Sequence, residues 1–345
     1  SNDYSYDFSI QDNTIYVKGS GNFTSLVGNL SLTAPTYSAS NESIDGLCYI
    51  YHYDSRNRLI EKKIPGKGWE HIVYDGMDRP VLIQDPNLRN NNQWIFSKYD
   101  DFGRILYTGK YLHSSVDVNP RLELQDIINS QIEPVWSEVK QTSYSSLGIN
   151  YTNNAFPFND TQMEVLSVNF YDDYSGINAT NIELNSGSTI YDEVITSETK
   201  SLGTGTKIRV LNTDTWITTV SYFDGEARQI YTASENEYFN STEVNKTDLD
   251  FTGKVLENET FHQFNGQTPI IIVDEFSYDH ADRILMQTQT INNSNPELIV
   301  LNHYDELGQL ISKKVGGDTN IELQQISGLQ TVDYNYNIRG CLLYT

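Results

Sequence analysis

Tyr99-Asp100-Asp101-Phe102-Gly103-Arg104-Ile105 decides the fold, because the phrase returns along the chain. It reads aromatic, Asp, two variable residues, a turn residue, a basic residue and then usually an aliphatic one. Upstream it stands as Tyr53-Asp54-Ser55-Arg56-Asn57-Arg58-Leu59 and Tyr74-Asp75-Gly76-Met77-Asp78-Arg79. Downstream it stands as Phe223-Asp224-Gly225-Glu226-Ala227-Arg228, Leu249-Asp250-Phe251-Thr252-Gly253-Lys254-Val255, Tyr278-Asp279-His280-Ala281-Asp282-Arg283-Ile284 and Tyr304-Asp305-Glu306-Leu307-Gly308-Gln309-Leu310. Within the runs 54–100 and 224–305, neighbouring copies lie between 21 residues apart (Asp54 to Asp75) and 29 apart (Asp250 to Asp279). A worn copy, Tyr171-Asp172, sits 52 residues before Asp224, two periods of 26.

Each position has a physical reason. Asp at the first position of a type I turn accepts a bond from the backbone N–H two residues on. In the three-residue hairpin with a bulge, the fourth position needs positive φ. Gly, Asn or Asp, which tolerate that region, fill it at Asn57, Asp78, Gly103, Gly253, Asp282 and Gly308, with Ala227 the exception. A basic side chain at the next position can reach the turn Asp or a neighbouring hairpin's carboxylate. The flanks alternate, as in Glu275-Phe276-Ser277-Tyr278, so each unit predicts a β-hairpin. The turns are expected at 54–57, 75–78, 100–103, 224–227, 250–253, 279–282 and 305–308.

Composition agrees. Among 345 residues there are 24 Tyr, 33 Asn and only 3 Met, the usage of strands and tight turns. Acidic residues outnumber basic ones 46 to 23, for a net charge of −23, which argues against binding a phosphate backbone. Cys48 and Cys341 form no CxxC motif and read as two free thiols packed in strands. No apolar run reaches the about 20 residues that span a bilayer. Ser1 at the start and the apolar Cys341-Leu342-Leu343 at the end read as an excerpt from a longer polypeptide.

Tyr-Asp followed by Gly-Arg at this period resembles the YD repeats of RHS-repeat proteins. Longer phrases, Tyr51 to Glu70, Ile72-Val73-Tyr74-Asp75, Thr204-Gly205-Thr206-Lys207 and Tyr336-Asn337-Ile338-Arg339-Gly340, resemble those of Bacteroidetes, flavobacteria in particular. The resemblance spans roughly residues 45–345. It departs at Cys341, where Trp is expected, and residues 1–45 carry no such phrase. What it implies is a β-strand spiral forming a hollow shell, often enclosing a C-terminal toxin domain of the same polypeptide, in a secreted or cell-surface protein served by a secretion machinery. The family's plug and self-cleaving aspartate motif are not found.

The expected fold is therefore all-β: repeated antiparallel hairpins forming a coiled sheet over 46–345, after an N-terminal β segment at 1–45. Between Asp100 and Asp172 the repeat breaks, and an insertion is expected at about 112–165. Within it, Leu124, Ile127 and Ile128 behind Asn119-Pro120 predict a short helix over 120–131. Residues 145–160, rich in Ser, Asn and Thr, read as surface loop.

No constellation of acid, base and nucleophile can be assembled, so neither an enzyme nor a cofactor is expected. The six histidines make no metal-binding pattern, and Gly203 to Lys207 lacks the spacing of a phosphate loop. Asp248, Asp250, Gly253 and Glu259 mimic a calcium loop, but Gly253 is already explained by the hairpin. The structural set is Asp54, Arg58, Asp75, Arg79, Asp100, Gly103, Arg104, Asp224, Arg228, Asp250, Gly253, Lys254, Asp279, Arg283, Asp305 and Gly308. A shell predicts that Tyr53, Tyr74, Tyr99, Tyr278 and Tyr304 are mostly buried in one stacked row. The alternative, an adhesin or carbohydrate-binding module, would leave these rings open to glycan.

Overall fold

The computed structural model describes residues 6–11, 14–19, 46–114, 119–179, 181–317, 319–320, 325–326 and 328–343. Two compact units divide the chain, Ser1–Cys48 and Tyr49–Thr345. In the first, Tyr6–Gln11 pairs antiparallel with Thr14–Gly19; the rest of 1–45 lies outside the described residues.

The second unit is built on one antiparallel sheet of 17 strands, from Ile50–Tyr53 to Gln330–Asp333, each paired to its sequence neighbours in the sheet. The two end strands share no hydrogen-bonded register among the described residues, so the sheet is open. All seven expected hairpins form. Each register slips by one residue at the aromatic position, for example between Val73 and Tyr74 or between Lys98 and Tyr99, which is the bulge that this turn type requires. In a sheet paired this way every second connection falls on the same edge, so all seven turns share one margin.

Among the described residues only one helix exceeds two turns. α2 (Pro120–Asn129) starts with Asn119 as its cap, accepting from the Leu122 N–H, and with Pro120 at the first helical position. A shorter helix, α1 (Pro86–Asn90), capped by Asp85, fills the connection between Pro80–Gln84 and Gln93–Tyr99 and was not legible in the sequence.

Hydrophobic burial is uneven. The core runs from Val73 to Ala233, where two excursions cover one face of the sheet. The first, between Ile105–Leu112 and Met163–Asp172, lays Leu124 and Ile128 of α2 on that face. Its loop corrects the surface reading of 145–160: Ile149, Tyr151 and Phe156 are buried, and the Tyr107 hydroxyl donates to the Thr152 carbonyl at 2.8 Å. The polar residues there serve both sides: Asn150 is itself buried, and Thr152 and Asn153 bond the buried Glu138 and Lys98.

The second excursion, 173–198, was not anticipated. It replaces a tight turn, since Asp172 pairs with Thr199 at the mouth of the loop, and it buries Ile177, Ile182 and Ile195. Gly205 makes room for it: a Cβ there would lie 2.7 Å from Ile177 Cδ1 and 2.9 Å from the Thr219 carbonyl oxygen. The 203–207 stretch thus lies inside the strand Thr199–Arg209, where no phosphate loop can form. Beyond Ser241, only Thr288 and Leu298 are buried among the described residues. Cys48 and Cys341 are free and exposed, outside any strand, which corrects their placement in packed strands.

Candidate functional site

The repeated turns form the site, and their geometry is nearly identical in all seven copies. The fourth residue has φ of 60° at Asn57, 62° at Asp78, 79° at Gly103, 62° at Ala227, 90° at Gly253, 63° at Asp282 and 85° at Gly308. One oxygen of each turn Asp accepts the backbone N–H groups two and four residues on. At Asp54 these come from Arg56 and Arg58, at 2.9 and 3.0 Å, and at Asp305 from Leu307 and Gln309, at 3.0 and 2.7 Å. The second oxygen accepts the arginine Nε, at 2.7 Å from Arg58, 2.8 Å from Arg79 and 2.6 Å from each of Arg104, Arg228 and Arg283. Lys254 reaches Asp250 at 3.2 Å.

This division of labour explains the choice of acid. Asp is needed where a cation follows. An eighth turn, not counted in the sequence reading, uses Asn337, whose side-chain oxygen accepts from the Arg339 and Cys341 N–H groups with Gly340 at φ 74°. No cation follows it, and an amide suffices.

The guanidinium also does something the sequence did not reveal. Its plane covers the aromatic ring of the next repeat. Arg58 lies 4.8 Å above the Tyr74 ring centroid, Arg79 4.6 Å above Tyr99, Arg104 4.4 Å above Tyr171 and Arg283 4.3 Å above Tyr304; Lys254 stands 5.5 Å from Tyr278. The covered tyrosine returns a bond. Its hydroxyl donates to the carbonyl of the residue just after that basic one: Tyr74 to Leu59 (2.8 Å), Tyr99 to Pro80 (2.6 Å), Tyr171 to Ile105 (3.3 Å), Tyr278 to Val255 (2.7 Å) and Tyr304 to Ile284 (3.0 Å). Tyr336 repeats the bond to Leu310 at 2.9 Å. Where Phe223 and Leu249 stand in the tyrosine position there is no hydroxyl; Arg228 bonds the Asp250 carbonyl at 2.9 Å, as Arg79 bonds that of Asp100 at 3.2 Å, and also reaches Glu193 at 3.1 Å.

The expected row of buried tyrosines is corrected accordingly. Tyr74 and Tyr99 are each 8% exposed, Tyr278 and Tyr304 are half-buried, and Tyr53 is 58% exposed. The covering comes from the preceding repeat's cation, and none of the described residues supplies one to Tyr53. Tyr171 keeps its rung although its turn has opened into the second excursion. Asp172, at φ 71°, takes both Arg104 terminal nitrogens, at 3.0 and 2.5 Å, and that bond holds its carboxyl below the usual range.

The calcium-like residues are taken apart by the sheet. Asp250 caps its own turn, bonding both the N–H and the hydroxyl of Thr252, and Glu259 pairs with Lys246 at 2.6 Å. Among the described residues no group of three or more His, Cys, Asp or Glu side chains could hold a metal ion.

Two expected results test the turn chemistry. Gly308→Val should destabilise by about 1–2 kcal/mol in urea melts, because a β-branched residue is strained at φ 85°. The added Cβ would also lie 2.7 Å from an Arg283 nitrogen. Asp279 gives a pH test. The Arg283 bond pulls its carboxyl from 3.8 to about 2. With the folded value below the unfolded one, its contribution is complete above about pH 4 and is lost as the pH falls towards 2. Asp279→Asn should flatten the stability profile across that window; an unchanged acid limb would uncouple the charge from folding.

No family profile matches the chain, and no curated protein does. Solved structures do align. The crystal structure of TcdB2-TccC3-TEV gives a TM-score of 0.27 at 12% identity, over 85% of this chain and 14% of that one. TcdB2-TccC3 without its hypervariable C-terminal region gives 0.25 at 14% identity, over 85% and 14%. The Photorhabdus luminescens Tc holotoxin pore gives 0.25 at 13% identity, over 85% and 13%. The chain thus spans about one seventh of the structures it is similar to, and its all-β class stands on its own sheet of 17 hydrogen-bonded strands.

Proposed function

We propose that this chain is a stretch of shell wall of an RHS-repeat protein of the flavobacterial type, secreted or at the cell surface, that encloses or presents a C-terminal toxin domain of its own polypeptide. The chain itself is not an enzyme and needs no cofactor. The observation that carries this reading is the ladder: each repeat is fastened to the next through Asp, Arg and Tyr along one margin, an arrangement that builds continuous wall. The face that carries the core supports it. At the border of the second excursion, whose Tyr191 hydroxyl donates to Glu257 at 2.8 Å, that face presents Asp248, Glu257 and Glu275 directly opposite one another across three strands. Like charges so placed repel, and they suit a wall that meets water or charged contents better than a packed interior.

The glycan-binding alternative loses its aromatic platform, because a cation already occupies a face of each ladder ring from Tyr74 to Tyr304. Tyrosine nitration of the native protein tests the choice. Tyr74 and Tyr99 should resist and Tyr278 and Tyr304 should react slowly, all indifferent to oligosaccharides. Rapid reaction of these four rings, suppressed by an added oligosaccharide, would decide for the carbohydrate module.

A further inference from the structure

Lys98 is fully buried on the strand Gln93–Tyr99, and its ammonium meets three groups of the first excursion. These are Glu138 Oε1 at 2.9 Å, the Ala155 carbonyl at 2.5 Å and Asn153 Oδ1 at 2.6 Å. The last contact is to a carboxamide. Its carbon, one C=O bond beyond Oδ1, lies within about 3.8 Å of Nζ. That is close to the separation from which a nucleophile attacks. The other partners of Asn153 suit such an attack. The Tyr107 hydroxyl, which donates to the Thr152 carbonyl, also stands 3.3 Å from Oδ1, where negative charge would develop. Burial pushes that phenol far above its usual range, so it stays a donor. Asn153 Nδ2 donates to the half-buried Asp160, which fixes the end of the amide that faces Lys98.

We infer that Lys98 and Asn153 condense into an isopeptide bond within the folded chain, a single-turnover reaction of the chain on itself with Glu138 as its acid–base group. The Lys98 ammonium first passes a proton to Glu138. Burial favours that step, since it pulls the ammonium down to about 8. The neutral Nζ attacks Asn153 Cγ, forming the new C–N bond while the carbonyl pair moves to Oδ1. Glu138 gives its proton to Nδ2 and takes the next one from Nζ. The carbonyl reforms, the C–Nδ2 bond breaks and ammonia leaves. A primary amine and a primary amide thus become one secondary amide and ammonia, with Glu138 left protonated and no oxidant or cofactor consumed. Bonds from the Thr152 hydroxyl and the Asn154 and Ala155 N–H groups hold Glu138 in place throughout. The reaction replaces a buried ion pair by neutral groups, a driving force that an exposed Lys–Asn pair lacks. Its product ties the sheet to the first excursion across 55 positions of chain.

Intact-mass spectrometry of the purified full chain tests this. The folded protein should weigh one ammonia less than its sequence, and trypsin should release a branched peptide joining residues 90–104 to residues 141–200. The branched peptide is the decisive reading, because succinimide formation at Asn265-Gly266 would also expel ammonia. Asn153→Ala should keep its full sequence mass and give no branched peptide, while its Lys98–Glu138 pair remains. Glu138→Gln, shown by circular dichroism to be folded, should likewise stay unjoined, because an amide cannot carry the proton. Three outcomes would overturn the inference: a folded parent at full sequence mass, an ammonia loss that maps away from Lys98 and Asn153, or a branched peptide from folded Glu138→Gln.

Discussion

Replacing Glu138 by Ala is expected to cost about 3–5 kcal/mol of stability, the most of any single change considered. Glu138 belongs to the first excursion and is fully buried against Lys98, a sheet residue on Gln93–Tyr99 that is equally buried. Their 2.9 Å ion pair is one bond of a closed set. Lys98 also donates to Asn153 Oδ1 and to the Ala155 carbonyl, while Glu138 accepts from the Thr152 hydroxyl and from the Asn154 and Ala155 N–H groups. Burial outweighs Glu138's attraction and pulls the Lys98 ammonium down to about 8. Removing Glu138 strands that cation and two backbone donors together. Lys98→Met should cost less, because Glu138 keeps its three other donors. Urea melts of both variants check the order. Hydrogen exchange across 138–156 should rise in Glu138→Ala; a variant as stable as the parent would mean the pair does not hold the excursion down.

The second large effect is expected at Asp224→Ala, about 3 kcal/mol. Asp224 is only 1% exposed, and its carboxylate accepts from the Glu226 and Arg228 N–H groups and from Arg228 Nε. Its loss leaves a guanidinium without its nearest counter-charge and two donors unpaired. Asp305→Ala removes the same backbone bonds, but Gln309 follows in place of a cation, so about 1 kcal/mol is expected there. The ratio between these equivalent positions isolates the charged half of the turn. Equal losses at both would reduce the arginine to a bystander.

Much of this was legible from the chain because turns are local. The Asp, the left-handed fourth residue and the basic exit residue act within five positions, so spacing alone located all seven hairpins, and the Asn-Pro start located α2. What failed was non-local. Which ring Arg58 covers depends on the register between Leu59–Lys63 and Glu70–Tyr74, which no motif encodes. Lys98 and Glu138 are 40 positions apart, and each looks like any surface charge. The polar run at 145–160 hid Ile149, Tyr151 and Phe156 because composition averages over two sides of a loop that faces both ways. Tyr53 was misjudged for the opposite reason: its burial depends on a neighbour, and its own sequence matches that of its buried equivalents.

The rungs join the hairpins at the turn margin alone. At the opposite margin the connections range from the few residues between Asn236 and Ser241 to the whole excursion carrying α2. Such a sheet behaves as a strip hemmed on one side. Under tension it should tear from the unhemmed side inward, one hairpin at a time, with the Asp–Arg–Tyr seam parting last. Length can likewise be added along the loose margin without recutting the hem. The Tyr171 rung, kept while its own turn grew into residues 173–198, shows that the seam tolerates one opened stitch.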